Sequence, residues 1–521
     1  MSGQRRFPKV KKPTLYWWIL AAWVVLFGGA LYSTLPLMQD ALRTSALVGA
    51  MVITTMAFIG YFWLNGMKDV FYTLLYHCWL KKRVTLPEVG LWRSKWLASP
   101  RVVMVYCTCN DFNELSLERS MPQNYDNFEV VILDDSSKPE FLRRIDVFAA
   151  KHGLRVIRRT NRPVGFKAGN LNNFLADPAE KWDFFVILDS DEVVPREFIS
   201  RSLDYFAAHP TTGILQANHH ATGNINRFMT MFARGVDSHW PAYQTVKDHF
   251  GFMSLLGHGA MASRRCYELS DGFPHVVAED ICFTIEARRK GLLARFAPDI
   301  LCEEEFPVDY QAFTKRHGKW TEGNMEFILR NTWKILFSRM TWFEKLDIVL
   351  FTYSLPLTSV FSIYVVINVF VLPLMDYTVR FPLWMLAPTA MFLIAPMLND
   401  IIFYWRELKK RALISYLLHS TILFGSMFFI SLRSSIKSLF GKSVFHVTPK
   451  DSSEVTFWEA FRFNRSVLTF GVVLTSLSVG VTYSVFPVML IVVPALSGMY
   501  LTMMHHDSAD RGRHKKLQPA E

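Results

Sequence analysis

The chain has 521 residues, of which 51% are hydrophobic, and it carries a formal net charge of +12. That length exceeds what one globular core usually holds, so at least two structural units are expected. Long uncharged runs flank residues 101–310, whose composition is that of an ordinary soluble α/β domain. The composition therefore predicts a membrane unit, a soluble unit and a second membrane unit, in that order.

The basic residues lie beside the apolar runs and do not form a stripe for nucleic acid. They occur before the first run and after the second: Arg5, Arg6, Lys9, Lys11, Lys12, Lys81, Lys82 and Arg83. Positive charge flanking apolar segments is typical of the cytoplasmic side of a membrane protein. We therefore expect membrane lipids as partners and no nucleic acid.

Two apolar segments, residues 14–36 and 45–66, are each long enough to cross a hydrocarbon core of about 30 Å. With a basic N-terminus inside, two crossings return the chain to the cytoplasm, where we expect the soluble domain and both termini. Five apolar segments follow: 347–374, 382–404, 412–430, 466–484 and 486–504. Because 412–430 has basic residues on both sides, we predict it to be an interfacial or re-entrant helix, which leaves six spans.

All six cysteines fall in regions that this topology assigns to the cytoplasm: Cys78, Cys107, Cys109, Cys266, Cys282 and Cys302. Disulfides rarely persist there, so free thiols are expected. Cys107 and Cys109 form a CxC pair with no second pair at metal-ligand spacing, which favours a structural role.

Short apolar runs alternate with helical stretches in the soluble domain, at residues 101–108, 128–134, 154–158, 184–189 and 213–217. This alternation predicts a mostly parallel sheet with helices on both faces. Ligands of such sheets bind at the carboxyl ends of the strands, so the polar residues that follow each run are candidates for a site.

Two polar clusters suit a nucleotide. Asp134-Asp135-Ser136 follows a strand, where a carboxylate can accept from a nucleobase or a ribose hydroxyl; a turn or a helix N-cap is the alternative. Lys167-Ala168-Gly169-Asn170-Leu171-Asn172 opens a predicted helix with a cation, an arrangement that suits a diphosphate.

Two further clusters contain paired carboxylates. Asp189-Ser190-Asp191 follows a strand, and oxygen ligands spaced in this way suit Mg²⁺ or Mn²⁺. Glu279-Asp280 opens a predicted helix at 281–290, where a carboxylate can simply favour the helix dipole. A carboxylate in this position can also act as a general base.

Taken in order, these clusters resemble the family 2 glycosyltransferases, specifically processive membrane synthases such as bacterial cellulose synthase and its hyaluronan and poly-N-acetylglucosamine relatives. The resemblance covers roughly residues 100–330 and reappears at Phe445-His446-Val447-Thr448-Pro449-Lys450, which matches the FxVTxK gating loop. It implies a GT-A, Rossmann-like α/β domain inserted in an α-helical transmembrane domain.

The resemblance also implies roles for matching residues. Asp135 would contact the nucleoside, Lys167 the diphosphate, and Asp189 and Asp191 the sugar nucleotide and its metal. Asp280 would be the general base, with Glu279 beside it. The acceptor sugar would stack on Trp320, with His258 also near the acceptor, and Arg316 and Lys319 would neutralise the leaving diphosphate. The gating loop would close over the nucleotide through Phe445, Val447, Thr448 and Lys450.

The sequence departs from the family pattern at three places. The QxxRW motif appears as Arg316-His317-Gly318-Lys319-Trp320, the threonine of TED is Ala278, and FFCGS appears as 255–259, LLGHG. Lys319 retains a cation but cannot form the planar fork of arginine. These changes put cellulose in doubt as the product more than they do the reaction type.

The resemblance implies a processive inverting enzyme that polymerises a β-linked polysaccharide from a UDP-sugar and moves it across the bacterial inner membrane, with a periplasmic or outer-membrane export partner. The alternatives are a single-addition transferase with a lipid acceptor and a non-enzymatic transporter.

The chain is predicted to divide into five units. They are 1–84 with two spans, 85–305 as the catalytic domain, 306–346 as amphipathic interface helices, 347–505 as the channel region with interfacial helix 412–437 and gating loop 441–455, and a basic tail at 506–521.

Overall fold

A computed structural model describes residues 15–504, except 161–163, 222–225, 339 and 441–454. The predicted gating-loop residues Phe445, Val447, Thr448 and Lys450 lie outside the described residues, as does the basic tail.

The soluble part contains one seven-stranded sheet, in the order β3-β2-β1-β4-β6-β5-β7. The strands are β1 Val102–Thr108, β2 Phe128–Asp134, β3 Arg155–Ile157, β4 Phe184–Leu188, β5 Thr212–Ala221, β6 Ala260–Ser263 and β7 Leu293–Glu304. β6 runs antiparallel to both of its neighbours, and every other pair is parallel. The predicted mostly parallel α/β sheet is confirmed, and β6 and β7 are additions to the predicted strands.

Helices precede, surround and follow this sheet. The first two are α1 Leu15–Thr44 and α2 Ala46–Cys78. Those of the soluble part are α3 Leu91–Lys95, α4 Glu114–Ser120, α5 Pro139–His152, α6 Phe166–Leu175, α7 Phe198–Ala208, α8 Arg227–His239, α9 Thr245–Phe250, α10 Arg264–Leu269 and α11 Glu279–Arg289. The remainder are α12 Tyr310–Leu336, α13 Trp342–Phe351, α14 Ser354–Val365, α15 Leu372–Leu374, α16 Leu386–Tyr404, α17 Lys410–Ser426, α18 Phe428–Phe440, α19 Phe457–Thr482, α20 Met489–Leu496 and α21 Gly498–Met503.

The sheet is buried on both faces because its central strands are apolar at every position. Along β1, Val102, Met104 and Tyr106 face one hydrophobic core. Val103 and Val105 alternate with them and face a second core on the other side. This period of two is what a pleated strand imposes on its side chains. The carboxyl ends of the strands are therefore left as the accessible edge of the sheet.

Within the described part of the chain, seven helices are long and apolar enough to cross a membrane. They are Leu15–Thr44, Ala46–Lys82, Ser354–Leu374, Leu383–Tyr404, Lys410–Phe440, Phe457–Thr482 and Phe486–Met503. The third begins later than the predicted 347, because Asp347 belongs to α13 and is buried. The run Lys410–Phe440 contains the segment predicted to be interfacial, so the count of six spans stays a prediction.

A shared core joins the first two helices to the soluble part. Trp63 and Tyr72 of α2 pack in one buried cluster with Val246 and Phe250 of α9. At its edge the Asp347 carboxylate accepts hydrogen bonds from the Tyr72 hydroxyl at 2.9 Å and from the Phe252 amide at 2.6 Å. Buried polar groups are costly unless they are paired, and these bonds pair the carboxylate. The first two helices and the soluble part therefore pack against each other.

Candidate active site

Asp189, Ser190 and Asp191 lie in a turn directly after the central strand β4. The Ser190 carbonyl accepts a hydrogen bond from the Tyr106 hydroxyl at 2.8 Å, and the Ser190 hydroxyl donates to Asp111 at 2.8 Å. The Glu192 amide donates to the Asp189 carbonyl at 3.1 Å. These bonds fix the turn, so its two aspartates project from a rigid support.

Lys167 lies in the first turn of α6, facing the same turn. The chain enters this helix through Gly165, whose φ of 71° favours a residue without a side chain. The Lys167 ammonium contacts the Asp189 carboxylate and donates to the Gly257 carbonyl at 2.8 Å. Burial alone would lower the pKa of Lys167, but the Asp189 charge raises it above the ordinary value, so the side chain is a permanent cation.

The two aspartates after β2 have different surroundings. Asp134 is fully buried and accepts from the Ser136 amide at 2.8 Å and from Arg158 at 2.7 Å, which is a structural role. Asp135 is bound by the Arg159 guanidinium through Nε at 2.8 Å and through Nη2. Arg159 also donates to the Phe166 carbonyl at 2.8 Å, so it connects Asp135 to the start of α6. Arg159 was not among the residues predicted from the sequence.

Glu279 and Asp280 form a pair of adjacent carboxylates at the N-terminus of α11, as the sequence predicted for the start of that helix. Burial, followed by the Asp280 charge, raises the pKa of Glu279 to about 7. Burial also raises the pKa of Asp280, although the Ile281 amide, 2.8 Å from its carboxylate, opposes this shift. A carboxyl group whose pKa is raised toward neutrality is suited to proton transfer.

The variant QxxRW motif, with its cations Arg316 and Lys319 and its aromatic ring Trp320, lies on α12. This helix passes close to the Glu279–Asp280 pair. The helix approaches closely at Gly323, where an added Cβ would lie 3.6 Å from the Cβ of Ala278. Burial lowers the pKa of Lys319 to about 8, and the charges of Glu279 and Asp189 act in the opposite direction. Lys319 is therefore close to both carboxylate groups.

Trp320 presents its indole to solvent, with 41% of its surface exposed. The Arg316 guanidinium lies 4.5 Å from the ring centroid, one helical turn earlier, which is a cation–π contact. An exposed aromatic face next to a cation is available for stacking with a sugar ring.

The opposite side of α12 contacts α18. The His317 ring and the Ser431 hydroxyl are 2.8 Å apart, and Lys437 pairs with Glu322 at 2.8 Å. One helix therefore touches both the segment preceding Glu279 and the C-terminal group of apolar helices.

His258, predicted near the acceptor, lies in a buried cluster of ionisable side chains. Its Nε2 is 2.9 Å from Glu304, and its Nδ1 contacts Glu192. Although burial would lower the pKa of His258, these two carboxylates raise it well above its ordinary value. Both ring nitrogens are engaged by protein groups, and a contact with acceptor stays a prediction.

Three predicted donor residues and Glu279, the neighbour of the predicted base, lie around the Cys107 thiol. Burial raises the pKa of this thiol to about 12, and the charges of Lys167, Asp189, Asp135 and Glu279 also act on it. Cys107 is thus an inert thiol at the base of the site, consistent with a structural role. The structure describes all six cysteines, and none of them forms a disulfide.

A mostly parallel sheet with carboxylates after its central strand, and a carboxylate pair opposite them, defines a GT-A-like glycosyltransferase. The chain belongs to the glycosyl transferase family group 2, whose profile matches residues 184–504. It is an enzyme of that class, which transfers a sugar from a donor to an acceptor.

The similarity to individual known proteins is weaker than the match to the family profile. Beta-monoglucosyldiacylglycerol synthase of Synechocystis sp. is 28% identical over 251 residues, or 45% of this chain and 50% of that protein. The chain therefore spans about half the length of this curated relative. Among solved structures, S. aureus TarS 1-349 in complex with UDP is 13% identical with a TM-score of 0.33, covering 59% of this chain and 93% of that one. The longer S. aureus TarS structure is 14% identical with a TM-score of 0.29, covering 58% and 55%.

Proposed function

We propose that this chain is a processive inverting glycosyltransferase that extends a β-linked polysaccharide from a UDP-sugar. We further propose that it acts at the cytoplasmic face of a bacterial inner membrane and moves its product through its own helices. The observation that carries this proposal is the position of α12. This helix contacts both the segment before Glu279 and α18, and so connects the candidate base to the apolar helices.

The donor would lie along the edge formed by Asp135, Lys167 and the turn at Asp189–Asp191. The Lys167 ammonium, a permanent cation beside Asp189, suits the diphosphate. The two aspartates are hard oxygen donors and fit Mg²⁺ or Mn²⁺. Both Asp189 and Asp191 would hold the metal. When bound, such an ion supplies charge neutralisation for the departing diphosphate.

The base would be Asp280. It removes the proton of an acceptor hydroxyl while the hydroxyl oxygen forms a bond to the anomeric carbon, and the bond from that carbon to the diphosphate oxygen breaks. The attack occurs from the side opposite the leaving group, so an α-linked donor gives a β-linkage. Lys319, held near Glu279 and Asp189, would balance the charge on UDP, and Trp320 would support the acceptor ring.

A second function has support from the curated relative. That protein is named as a synthase of a glucosyl lipid, and it shares 28% identity with part of this chain. Under this alternative, the enzyme adds a single sugar to a lipid acceptor at the membrane surface. The same base and donor residues would act, but the product would not grow and no export partner would be needed.

The size of the product separates the two functions. Purified full-length protein in lipid vesicles is incubated with radiolabelled UDP-sugars, one at a time, and the product is sized before and after extraction with organic solvent. A long, solvent-insoluble glycan supports the processive proposal. A labelled lipid carrying one sugar overturns it in favour of the alternative, and the absence of any transfer from every UDP-sugar contradicts both.

A further inference from the structure

A cluster of five ionisable side chains lies behind the turn that carries Asp189 and Asp191. We name Glu192, His219, His258, Cys302 and Glu304 the buried cluster. They come from four separate segments of the chain, namely the turn after β4, strand β5, the loop before β6 and strand β7. Four of the five have no role in the proposed function, and His258 is predicted only to lie near the acceptor.

The buried cluster contains two groups of metal-ligating atoms that share His219. In one group the ligand atoms of Glu192, His219 and Cys302 lie within 4.8 Å of one another, and in the other the same holds for His219, His258 and Glu304. The Glu192 Oε1 and His219 Nε2 atoms are 2.9 Å apart. Atoms at such separations need only small adjustments to bind one ion, since ligand bonds to zinc measure about 2.0–2.3 Å.

Hydrogen bonding to protein groups accounts for the burial of the His258 ring but not for that of the His219 ring. Within the part of the chain that the structure describes, His219 Nδ1 has no hydrogen-bond partner, and the 2.9 Å contact between His219 Nε2 and Glu192 Oε1 is an ion pair that does not have hydrogen-bond geometry. His219 is 1% exposed and Glu192 is 0% exposed. An imidazole nitrogen buried in this way loses its bond to water without replacement, at a cost of about 1–3 kcal/mol. A bound cation would interact with the lone pairs that these buried atoms leave unsatisfied.

The backbone leaves room for these side chains at Gly259. Its φ of 56° lies in the left-handed region, and an added Cβ would stand 2.1 Å from His219 Nε2 and 2.5 Å from Glu192 Oε1. Any other residue would therefore displace the imidazole or the carboxylate. The glycine keeps these two potential ligands in contact.

We infer that the buried cluster binds one Zn²⁺ ion through Glu192, His219 and Cys302, with the fourth ligand supplied by His258 or Glu304. Imidazole and thiolate donors favour Zn²⁺ over Mg²⁺ or Mn²⁺, which prefer oxygen ligands alone. The site is separate from the proposed donor metal at Asp189 and Asp191, and its role would be to hold the turn. Glu192 follows Asp191 directly, and Val193 exchanges two backbone hydrogen bonds of 2.8 Å with Glu303 of β7.

Metal analysis of the full-length protein tests this inference. The protein is purified without chelator, dialysed against metal-free buffer and assayed for zinc by mass spectrometry. We expect about one zinc per chain, as in a mononuclear structural site. Protein that holds no zinc, even after incubation with zinc chloride and dialysis, overturns the inference, because the buried cluster would then be a metal-free ion network.

Substitutions locate the ion. Cys302→Ser and His219→Gln should lose zinc, whereas Cys266→Ser, which removes a buried thiol elsewhere in the domain, should retain it. Asp191→Asn should also retain it, which distinguishes this site from the donor metal. Zinc retained by both Cys302→Ser and His219→Gln contradicts the assignment.

A second measurement begins with the wild-type protein, so its main result does not depend on the folding of any variant. Protein reloaded with Co²⁺ should show the near-ultraviolet absorption of a thiolate–cobalt bond, because Cys302 would bind the ion directly. A cobalt spectrum with oxygen and nitrogen ligands alone overturns the role of Cys302. Loss of the band in Cys302→Ser but not in Cys266→Ser supports it.

Discussion

Two neighbouring groups of ionisable side chains differ in what surrounds their carboxylates. The carboxylate pair Glu279 and Asp280 is dominated by burial and mutual repulsion, which raise the pKa of Glu279 to about 7. In the buried cluster, burial would also raise the pKa of Glu192, but His219 and His258 outweigh it and lower that pKa to about 2. One group holds a carboxyl ready to exchange a proton, and the other holds a carboxylate permanently charged.

The contrast shows how one short turn serves two purposes. Asp189 contacts Lys167, while Glu192, three residues later, contacts His219 in the buried cluster. The first group can change its charge during a reaction, and the second can fix the geometry in which this happens. The predictions below test the reactive side of this comparison.

The largest effect is expected from Asp280→Asn. Loss of a general base typically reduces turnover by about 10²–10⁴-fold, whereas the affinity for UDP should change little because the donor contacts remain. Turnover is measured with radiolabelled donor, and UDP binding by calorimetry. Asp271→Asn makes the same chemical change at an exposed position and should be active. Sugar transfer at the wild-type rate by Asp280→Asn would rule out its role as base.

Lys167→Met should weaken donor binding. A hydrogen bond to a charged group contributes about 1.5–3 kcal/mol, which corresponds to a rise of about 10–100-fold in the dissociation constant of UDP. Equilibrium binding of UDP measures this effect, and UMP serves as a second ligand that lacks the β-phosphate. If Lys167 contacts the diphosphate, UMP binding should change less than UDP binding. Lys151→Met, at an exposed lysine of α5, provides the matched control.

Trp320→Ala should raise the KM for acceptor by about 2–10-fold, as expected for the loss of an aromatic contact of about 0.5–1.5 kcal/mol. The KM for donor should be unchanged. The matched control is Trp333→Ala, which removes a second exposed tryptophan of α12, with 69% of its surface exposed. Equal effects of the two substitutions on the KM for acceptor would argue against a stacking role specific to Trp320.

The smallest effect concerns pH. The pair must be deprotonated for Asp280 to act as base, so kcat/KM should fall as pH drops through the pKa of Glu279, near 7. Lys167, Lys319 and His258 also face the pair, and their positive charges favour its deprotonated form. Glu279→Gln leaves one carboxylate without its neighbour's charge, so the acidic limb of the pH profile should move down by on the order of one pH unit. An unchanged limb would show that the two groups titrate independently.

Much of the fold could be predicted because burial selects apolar residues, which appear in the sequence as short continuous runs. The apolar runs before Asp134 and Asp189 predicted β2 and β4, since a strand buried on both faces needs apolar residues at every position. β6 has four residues, too few to show a period. β7 contains Arg295, Pro298 and Asp299, which interrupt its apolar pattern. Its place in the sheet depends on pairing with β5, a long-range contact that the sequence does not reveal.

Some residues of the candidate site could likewise be predicted from the sequence, and others could not. Asp135, Lys167, Asp189 and Glu279 follow strands or open helices, where a short motif marks them, and the structure places their charges around Cys107. Arg159 has no such motif, because its role depends on the distance of its guanidinium from Asp135. The ligands of the buried cluster lie between positions 192 and 304 and have no regular spacing. Only the folded chain brings them together.

The packing of α9 against α2 has a practical consequence for producing this enzyme. Val246 and Phe250 are buried against Trp63 and Tyr72, so a soluble fragment of residues 85–305 would expose an apolar surface to water. Such a fragment should aggregate, whereas the full chain, which keeps all of this cluster, should remain folded in detergent. Truncation, the usual route to a tractable catalytic domain, would here uncover a surface that the rest of the chain buries.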